Sequence, residues 1–355
     1  MSKILSIILY PLSLIYGITT FLRNKLYDVG ILKSRKFKIP IISVGNLNVG
    51  GVGKTPHVEY LIRILNQYRI ASLSRGYKRS TKGYYKADIT STVNEIGDEP
   101  LQYKTKFDNI VVAVDENRVR GIKKIRETSP DINVVILDDA YQHRAVSPGL
   151  NILVTDYSKL YINDLVLPSG RLREWATGSS RADIIIVSKT PTILSPIDIR
   201  RIKDELHPKS HQEIFFSYTQ YGTLIPFTTH AETFQFDNQK TCSVLLITGI
   251  AKPSPLFYHI KDHYNTVEHI KFPDHHNFDS NDIKNIRNSF NDLFGNNKLI
   301  ITTEKDIMRL SLPEIKKQIE DLPIFYQPIE IAFHGNGKEE FDSKILKYVR
   351  ANTAS

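Results

Sequence analysis

The chain has 355 residues, 41% hydrophobic and 24% charged, with 18 Gly and 17 Pro, a balance that excludes a disordered tail, a collagen-like repeat and a polytopic membrane protein and suits two domains. Its 47 basic and 38 acidic residues leave a formal charge of +9; this suits nucleotide phosphates, nucleic acid or an acidic lipid surface without choosing among them. The single cysteine, Cys242, excludes an intramolecular disulfide or a Cys-rich metal site and fits a reducing compartment.

Residues 4–22 carry no charge and are bounded by Lys3, Arg23 and Lys25. The run reaches spanning length, but no small-x-small cleavage site follows it. Ser6, Tyr10, Ser13, Gly17, Thr20 and Asn24 recur every three or four positions and so fall in one stripe along a helix. Ile4, Leu5, Ile7, Ile8, Leu12, Leu14, Ile15, Ile18 and Leu22 occupy the rest. This pattern predicts a helix over 1–30 lying in a bilayer interface rather than spanning it, kinked or divided at Pro11. The alternative is a helix buried in the protein's own core.

Short Ile/Val-rich runs at 41–44, 70–74, 110–114, 134–137, 152–155 and 184–188 read as buried strands, with helical periodicity at 57–68 and 116–128. Such alternation implies right-handed βαβ crossovers and a mainly parallel sheet. The pattern loosens over 195–230. It resumes with strands at 243–248 and 299–303 and helices at 254–262 and 279–294, a second, smaller α/β domain. The expected organisation is a P-loop domain over 31–213, a hinge strand region at 214–235, the smaller domain over 236–324, and a return strand and C-terminal helix over 325–355. The runs 214–218 and 325–331 are expected to pair as the hinge.

Between the first predicted strand and helix stands Asn48-Val49-Gly50-Gly51-Val52-Gly53-Lys54-Thr55. Three glycines let backbone N–H groups approach phosphate oxygens, the helix N-terminus adds partial positive charge, Lys54 reaches the β- and γ-phosphates, and Thr55 suits Mg²⁺. The strict Walker A pattern has Gly where this chain has Asn48. The strand at 134–137 ends in Asp138-Asp139, a Walker B-like acidic pair at the sheet end where Mg²⁺ is held. Gln142, His143 and Arg144 follow on the same rim. Phosphoryl transfer to a hydroxyl also needs a group that orients or deprotonates the acceptor. Gly97-Asp98-Glu99-Pro100 offers two acids, and Phe272-Pro273-Asp274-His275-His276 brings acid and imidazole together in the second domain. A metal site at Asp274, His275 and His276 ranks below a phosphate-contacting or base-supporting role, because adjacent histidines do not easily face one ion. Arg75, Arg118, Arg171 and Arg173 as a group suit a doubly anionic substrate.

Together with Leu73-Ser74-Arg75-Gly76-Tyr77, Leu167-Pro168-Ser169-Gly170-Arg171-Leu172-Arg173-Glu174 and Thr302-Thr303-Glu304-Lys305-Asp306, these stretches resemble the tetraacyldisaccharide 4′-kinases of lipid A biosynthesis. The ordered set runs from the amphipathic start to about Leu310. The family shares the Asn-containing P-loop; this chain departs from the usual pattern at Ala140, Tyr141 and Trp175, where Gly, Phe and Pro are common. The resemblance implies transfer of the ATP γ-phosphate to the 4′-hydroxyl of a tetraacylated glucosamine disaccharide 1-phosphate, yielding lipid IVA. It implies that Asn48 to Thr55 bind ATP, that Thr55, Asp138 and Asp139 hold Mg²⁺, and that Lys54 serves the phosphates. Asp98 is then the base with His275 paired to it, and Tyr77, Glu99, His143 and Arg173 contact substrate or phosphates. It also implies two α/β domains with the site in their cleft, and a peripheral enzyme on the cytoplasmic face of the inner membrane.

A competing class is a membrane-docked P-loop NTPase acting as a switch or partition-type ATPase. Ser188-Lys189-Thr190-Pro191 faintly echoes a nucleotide-base-reading loop, but no acidic residue follows. A nucleic-acid binder is disfavoured, since the chain has no aromatic-interleaved basic clusters. Asp98 and His275 lie 177 positions apart on different predicted domains, so they are expected to meet only if those domains close.

Overall fold

The computed structural model describes residues 3–234 and 241–353. Its first sheet has nine strands: β1 (Ile41–Gly45), β2 (Ile70–Ser74), β3 (Tyr85–Lys86), β4 (Val111–Val114), β5 (Val134–Asp138), β6 (Leu150–Asp156), β7 (Ile184–Ser188), β8 (Glu213–Tyr221) and β14 (Ile329–Phe333). They lie in the order β14-β8-β7-β6-β1-β5-β2-β4-β3. The second sheet has the order β11-β10-β12-β13-β9, with β9 (Ile225–Pro226), β10 (Ser243–Thr248), β11 (Thr266–Lys271), β12 (Lys298–Thr303) and β13 (Ile324–Gln327). Both are mainly parallel; β3 and β9 are the antiparallel edge strands. Continuous apolar runs such as β1 and β5 are buried along their whole length, as strands covered on both faces must be.

The helices are α1 (Lys3–Asp28), α2 (Lys54–Ile64), α3 (Val93–Ile96), α4 (Asp98–Lys106), α5 (Arg118–Thr128), α6 (Pro196–Leu206), α7 (Thr229–Thr233), α8 (Ser254–His263), α9 (Ser280–Asp292), α10 (Glu304–Leu310), α11 (Pro313–Lys316) and α12 (Gly337–Thr353). Leu73, Ala113 and Leu137 pack with Ile122 and Ile125 of α5. Leu153, Ile185 and Val187 pack with Ile202 and Leu206 of α6, a helix within the stretch where the pattern had loosened.

Two compact units result. One comprises the chain up to Thr90, Tyr103–Gln220 and the chain from Ile331; the other comprises Ser91–Gln102 and Tyr221–Glu330. The segment Ser91–Gln102, expected in the P-loop domain, therefore belongs with the second unit. The run 325–331 is divided at Pro328: its first half is β13 of the second sheet, and its second half begins β14, which neighbours β8. The expected boundary at 235–236 falls outside the described residues.

Helix α1 is not divided at Pro11, and its two faces differ. Pro11 removes one N–H from the ladder, yet the helix runs unbroken. Ser13, Gly17 and Asn24 of the polar stripe face the protein. Ser13, 3% exposed, donates to Ser169 Oγ at 2.8 Å and accepts from the Ser169 amide at 2.9 Å. Tyr16 donates to the Arg173 carbonyl at 3.1 Å, Asn24 to Glu174 at 2.6 Å, and Arg144 to the Asn24 carbonyl at 2.6 Å. At Gly17 a Cβ would stand 2.6 Å from the Trp175 ring, so only glycine allows this approach. Tyr10, at 44% exposed, stands outside the docked face. The apolar side chains point outward: Ile4 is 72% and Ile7 73% exposed, with Ile8, Leu12, Ile15, Ile18 and Leu22 also exposed. The core-helix alternative therefore does not hold.

Candidate active site

The P-loop leaves the carboxyl end of β1, where Val44 is in register with Asp138 of β5. Gly50 and Gly53 take φ values of 104° and 89°, which glycine adopts without strain. Nothing lies within 4 Å of the Cβ position at Gly50, so the loop backbone is open there. Ser188 donates to the Val52 carbonyl at 2.6 Å, and the Lys189 ammonium donates to the Gly51 carbonyl. The stretch that echoed a base-reading loop thus braces the P-loop. Asn48 has a structural reason: its side chain donates to Asp164 at 3.1 Å, while the Val49 amide donates to the Arg171 carbonyl at 2.7 Å and the Arg173 amide to the Leu47 carbonyl at 2.7 Å. Asn48 therefore tethers the P-loop to the loop that also holds α1.

Lys54 begins α2, whose N-cap Gly53 supplies no side-chain cap. Its first-turn N–H groups are left for an anion. The Lys54 ammonium donates to Asn46 Oδ1 at 3.1 Å and lies 3.4 Å from Asp139 Oδ1, on which Arg173 also converges at 2.7 Å. Burial pushes the Asp139 carboxyl up, but the two cations override it and bring it to about 2. Asp139 adopts φ 48°, a left-handed conformation uncommon outside glycine and concentrated at functional sites. Asp138 is held by Tyr103, whose hydroxyl donates to Oδ2 at 3.1 Å, and by Arg118, which donates to its backbone carbonyl at 3.1 Å. Gln142 donates to the Asn46 carbonyl at 2.9 Å and to Glu174 at 3.1 Å, and accepts from Arg173 at 3.3 Å. Thr55, Asp138 and Asp139 supply hard oxygen donors, the chemistry Mg²⁺ takes. The open loop and uncapped helix fit nucleotide phosphates.

The acid–imidazole pair lies in the second unit. His275 Nδ1 and Asp98 Oδ2 are 2.5 Å apart, and both residues belong to that unit. They meet without any closure of domains, because Asp98 travels with Ser91–Gln102. Arg309 Nη2 lies 2.8 Å from Asp98 Oδ1. Burial raises the Asp98 carboxyl, but the hydrogen bond with His275 and the Arg309 charge outweigh it and leave it lowered. Lys305 joins the group, 3.0 Å from His275 Nε2 and donating to Asp274 at 3.0 Å. His276 pairs instead with Asp282 at 2.7 Å, so the two histidines face different partners. Among the described residues no cluster of three or more His, Cys, Asp or Glu is arranged to hold a metal ion.

The remaining expected contacts lie on separate elements. Tyr77 is exposed in the turn after β2, the strand beside β5. Glu99 is half-buried in the first turn of α4. His143 accepts the Arg118 amide at 3.3 Å; burial, then the Arg118 charge, lowers its pKa to about 4, so the ring is neutral near pH 7. Arg171 is engaged with Asp164 at 3.0 Å; of the other arginines singled out, the buried Arg118 reaches the Asp138 backbone carbonyl and Arg173 reaches the Asp139 carboxylate. Tyr103 and Arg309 were not singled out from the sequence. No local signal marks Tyr103, whereas the i, i+4 spacing of Lys305 and Arg309 on a short helix was available.

A family model described as tetraacyldisaccharide-1-P 4′-kinase (LpxK) matches residues 5–350. The chain is 45% identical over 356 residues to the tetraacyldisaccharide 4′-kinase of Bacteroides thetaiotaomicron, covering 97% of this chain and 93% of that one. It is 44% identical over 346 residues to the tetraacyldisaccharide 4′-kinase of Flavobacterium johnsoniae, covering 97% of each. A crystal structure of LpxK from Aquifex aeolicus in complex with ATP superposes with a TM-score of 0.74 at 27% identity, covering 97% of this chain and 99% of that one.

Proposed function

The chain belongs to the tetraacyldisaccharide 4′-kinase family and is a phosphotransferase of lipid A biosynthesis, and from that premise we propose how its own residues divide the reaction. The membership sets aside the switch and partition-type ATPase. The observation that carries the proposal is the convergence of Lys54 and Arg173 on Asp139 at the root of the P-loop. Two cations beside an uncapped helix N-terminus are arranged to receive phosphate oxygens and the charge that builds on them during transfer. The backbone from Asn48 to Thr55 cradles the phosphates of ATP. Thr55, Asp138 and Asp139 would hold Mg²⁺, which would supply charge neutralisation at the phosphates. Tyr103 and Arg118 orient Asp138, and Lys54 and Arg173 hold Asp139 as a carboxylate. Asp98 accepts the proton of the 4′-hydroxyl while His275 fixes the carboxylate's orientation. Tyr77, Glu99 and His143 complete the substrate contacts, His143 as a neutral ring.

The outward apolar face of α1 holds the enzyme on the cytoplasmic face of the inner membrane. A contiguous apolar surface of this size calls for a partner, and the acceptor's four acyl chains reside in the bilayer. The stripe that docks on residues 169–175 leaves the rest of α1 for lipid, with Lys25 at its end for anionic headgroups. The test is transfer of label from γ-labelled ATP to tetraacyldisaccharide 1-phosphate in anionic vesicles, with identification of the labelled position. Label on the 4′-oxygen is expected, as is a raised KM for lipid with unchanged KM for ATP in an Ile7→Asp, Ile15→Asp variant. Wild-type vesicle binding by that variant refutes the membrane role.

A further inference from the structure

Helix α10 presents two cations one turn apart, Lys305 and Arg309, to the two halves of the Asp98–His275 pair. Arg309 is 5% exposed and Asp98 3%, so their 2.8 Å ion pair is shielded from solvent. The Lys305 ammonium has only hydrogens to give, so at 3.0 Å from His275 Nε2 it makes that nitrogen an acceptor. The remaining ring nitrogen, Nδ1, must then carry the hydrogen and donate to Asp98 Oδ2. In that state the imidazole is neutral, and the positive charge matched to Asp98 is that of Arg309. The helix is fixed in place: Thr303 caps its start, and Asp306 accepts the Gly249 amide at 2.9 Å and the Thr303 hydroxyl at 2.7 Å. Arg309 is itself steadied by a hydrogen bond to Asn277.

We infer that Lys305 and Arg309 are positioning residues for phosphoryl transfer, Lys305 selecting the ring nitrogen of His275 that donates to Asp98 and Arg309 holding Asp98 as a carboxylate. The inference rests on the reading of Asp98 as base. The titratable and charged groups facing the pair are His275 itself, Asp274 and Lys305 on its far side, Arg309, and Asp306, whose negative charge opposes that of Asp98. An opposite charge at contact distance lowers a carboxyl by roughly 1–3 units. The lowered Asp98 must be ionised to act, so activity is lost as pH falls through its pKa. Removing the Arg309 charge moves that loss to higher pH.

The experiment is the pH profile of kcat/KM for wild type, Arg309→Gln, Arg309→Lys and Asp98→Asn in full-length enzyme, with ¹⁵N-histidine NMR of wild type and Lys305→Met. The acid limb is expected to rise by about 1–3 pH units in Arg309→Gln and to stay within about half a unit in Arg309→Lys, with KM for ATP unchanged. His275 is expected to show a protonated Nδ1 and an unprotonated Nε2 in wild type, and a mixture in Lys305→Met. The NMR result stands even where Arg309→Gln fails to fold. An unmoved limb in folded Arg309→Gln, or an Nε2-protonated neutral ring in wild type, overturns the inference while inactive Asp98→Asn leaves the base reading standing. Wild-type turnover in Asp98→Asn overturns the base reading itself.

Discussion

Two carboxylates in this protein are each gripped by positive or hydrogen-donating side chains, but they are gripped in different ways. Asp139 follows β5 and faces the P-loop; it is partly exposed, and its two cations, Lys54 and Arg173, remain partly accessible. Asp98 is almost fully buried, between a histidine 177 positions away and an arginine that is itself buried. A carboxylate whose partners are to meet a phosphate or cation is served by contacts that solvent still reaches. One that must stay ionised and correctly aimed is served by buried contacts, because charge interactions strengthen as solvent is excluded.

The comparison is broken first at its accessible end. Lys54→Ala is expected to lower phosphoryl transfer by about 10³-fold, the scale of losing a charge that stabilises the transition state, with an unchanged circular dichroism spectrum. Turnover within a few-fold of wild type contradicts the P-loop assignment. The next effect is on stability. His57 lies buried behind the loop, its ring between the Gly53 carbonyl at 2.6 Å and Ser217 at 3.0 Å. Burial lowers its pKa from 6.5 to about 4. Between those values the unfolded chain binds a proton that the folded chain does not. Stability is therefore full above about pH 6.5 and falls as pH drops toward 4, by about 3 kcal/mol for this residue. The unfolding free energy from denaturant titrations should lose this pH dependence in His57→Gln. The smallest effect sharpens the loop itself. Asn48→Ala removes the tether to Asp164 and should cost about 1 kcal/mol while raising KM for ATP a few-fold; an unchanged KM separates the tether from nucleotide binding.

Legibility in the sequence followed the range of the contacts. The P-loop and the acidic pair after β5 were readable because each is a contiguous run whose geometry follows from the strand before it. The main parallel strands were readable from their unbroken Ile and Val content. The membership of Ser91–Gln102 in the second unit was not, because a short helical segment between two strands carries no mark of which sheet it will leave. The stripe on α1 was legible as a periodic face but its partner was not, since its Ser, Gly and Asn residues donate to and pack against residues 150 and more positions away. A small-residue stripe admits close packing as readily as hydration, and periodicity alone does not separate the two. Asn48 looked like a departure from a phosphate-loop pattern until its partner Asp164 came into view.

The central claim is that Asp98 and His275 act as one unit, assembled within the second unit of the fold rather than by its closure on the first. Single-turnover phosphoryl-transfer rates for wild type, Asp98→Ala, His275→Ala and the double variant test it most directly. Groups acting together give non-additive losses. Each single substitution is expected to slow transfer by about 10²-fold or more, with the double variant falling little further. Losses that multiply, so that the double variant is slower by the product of the two, contradict the claim even if both residues prove important.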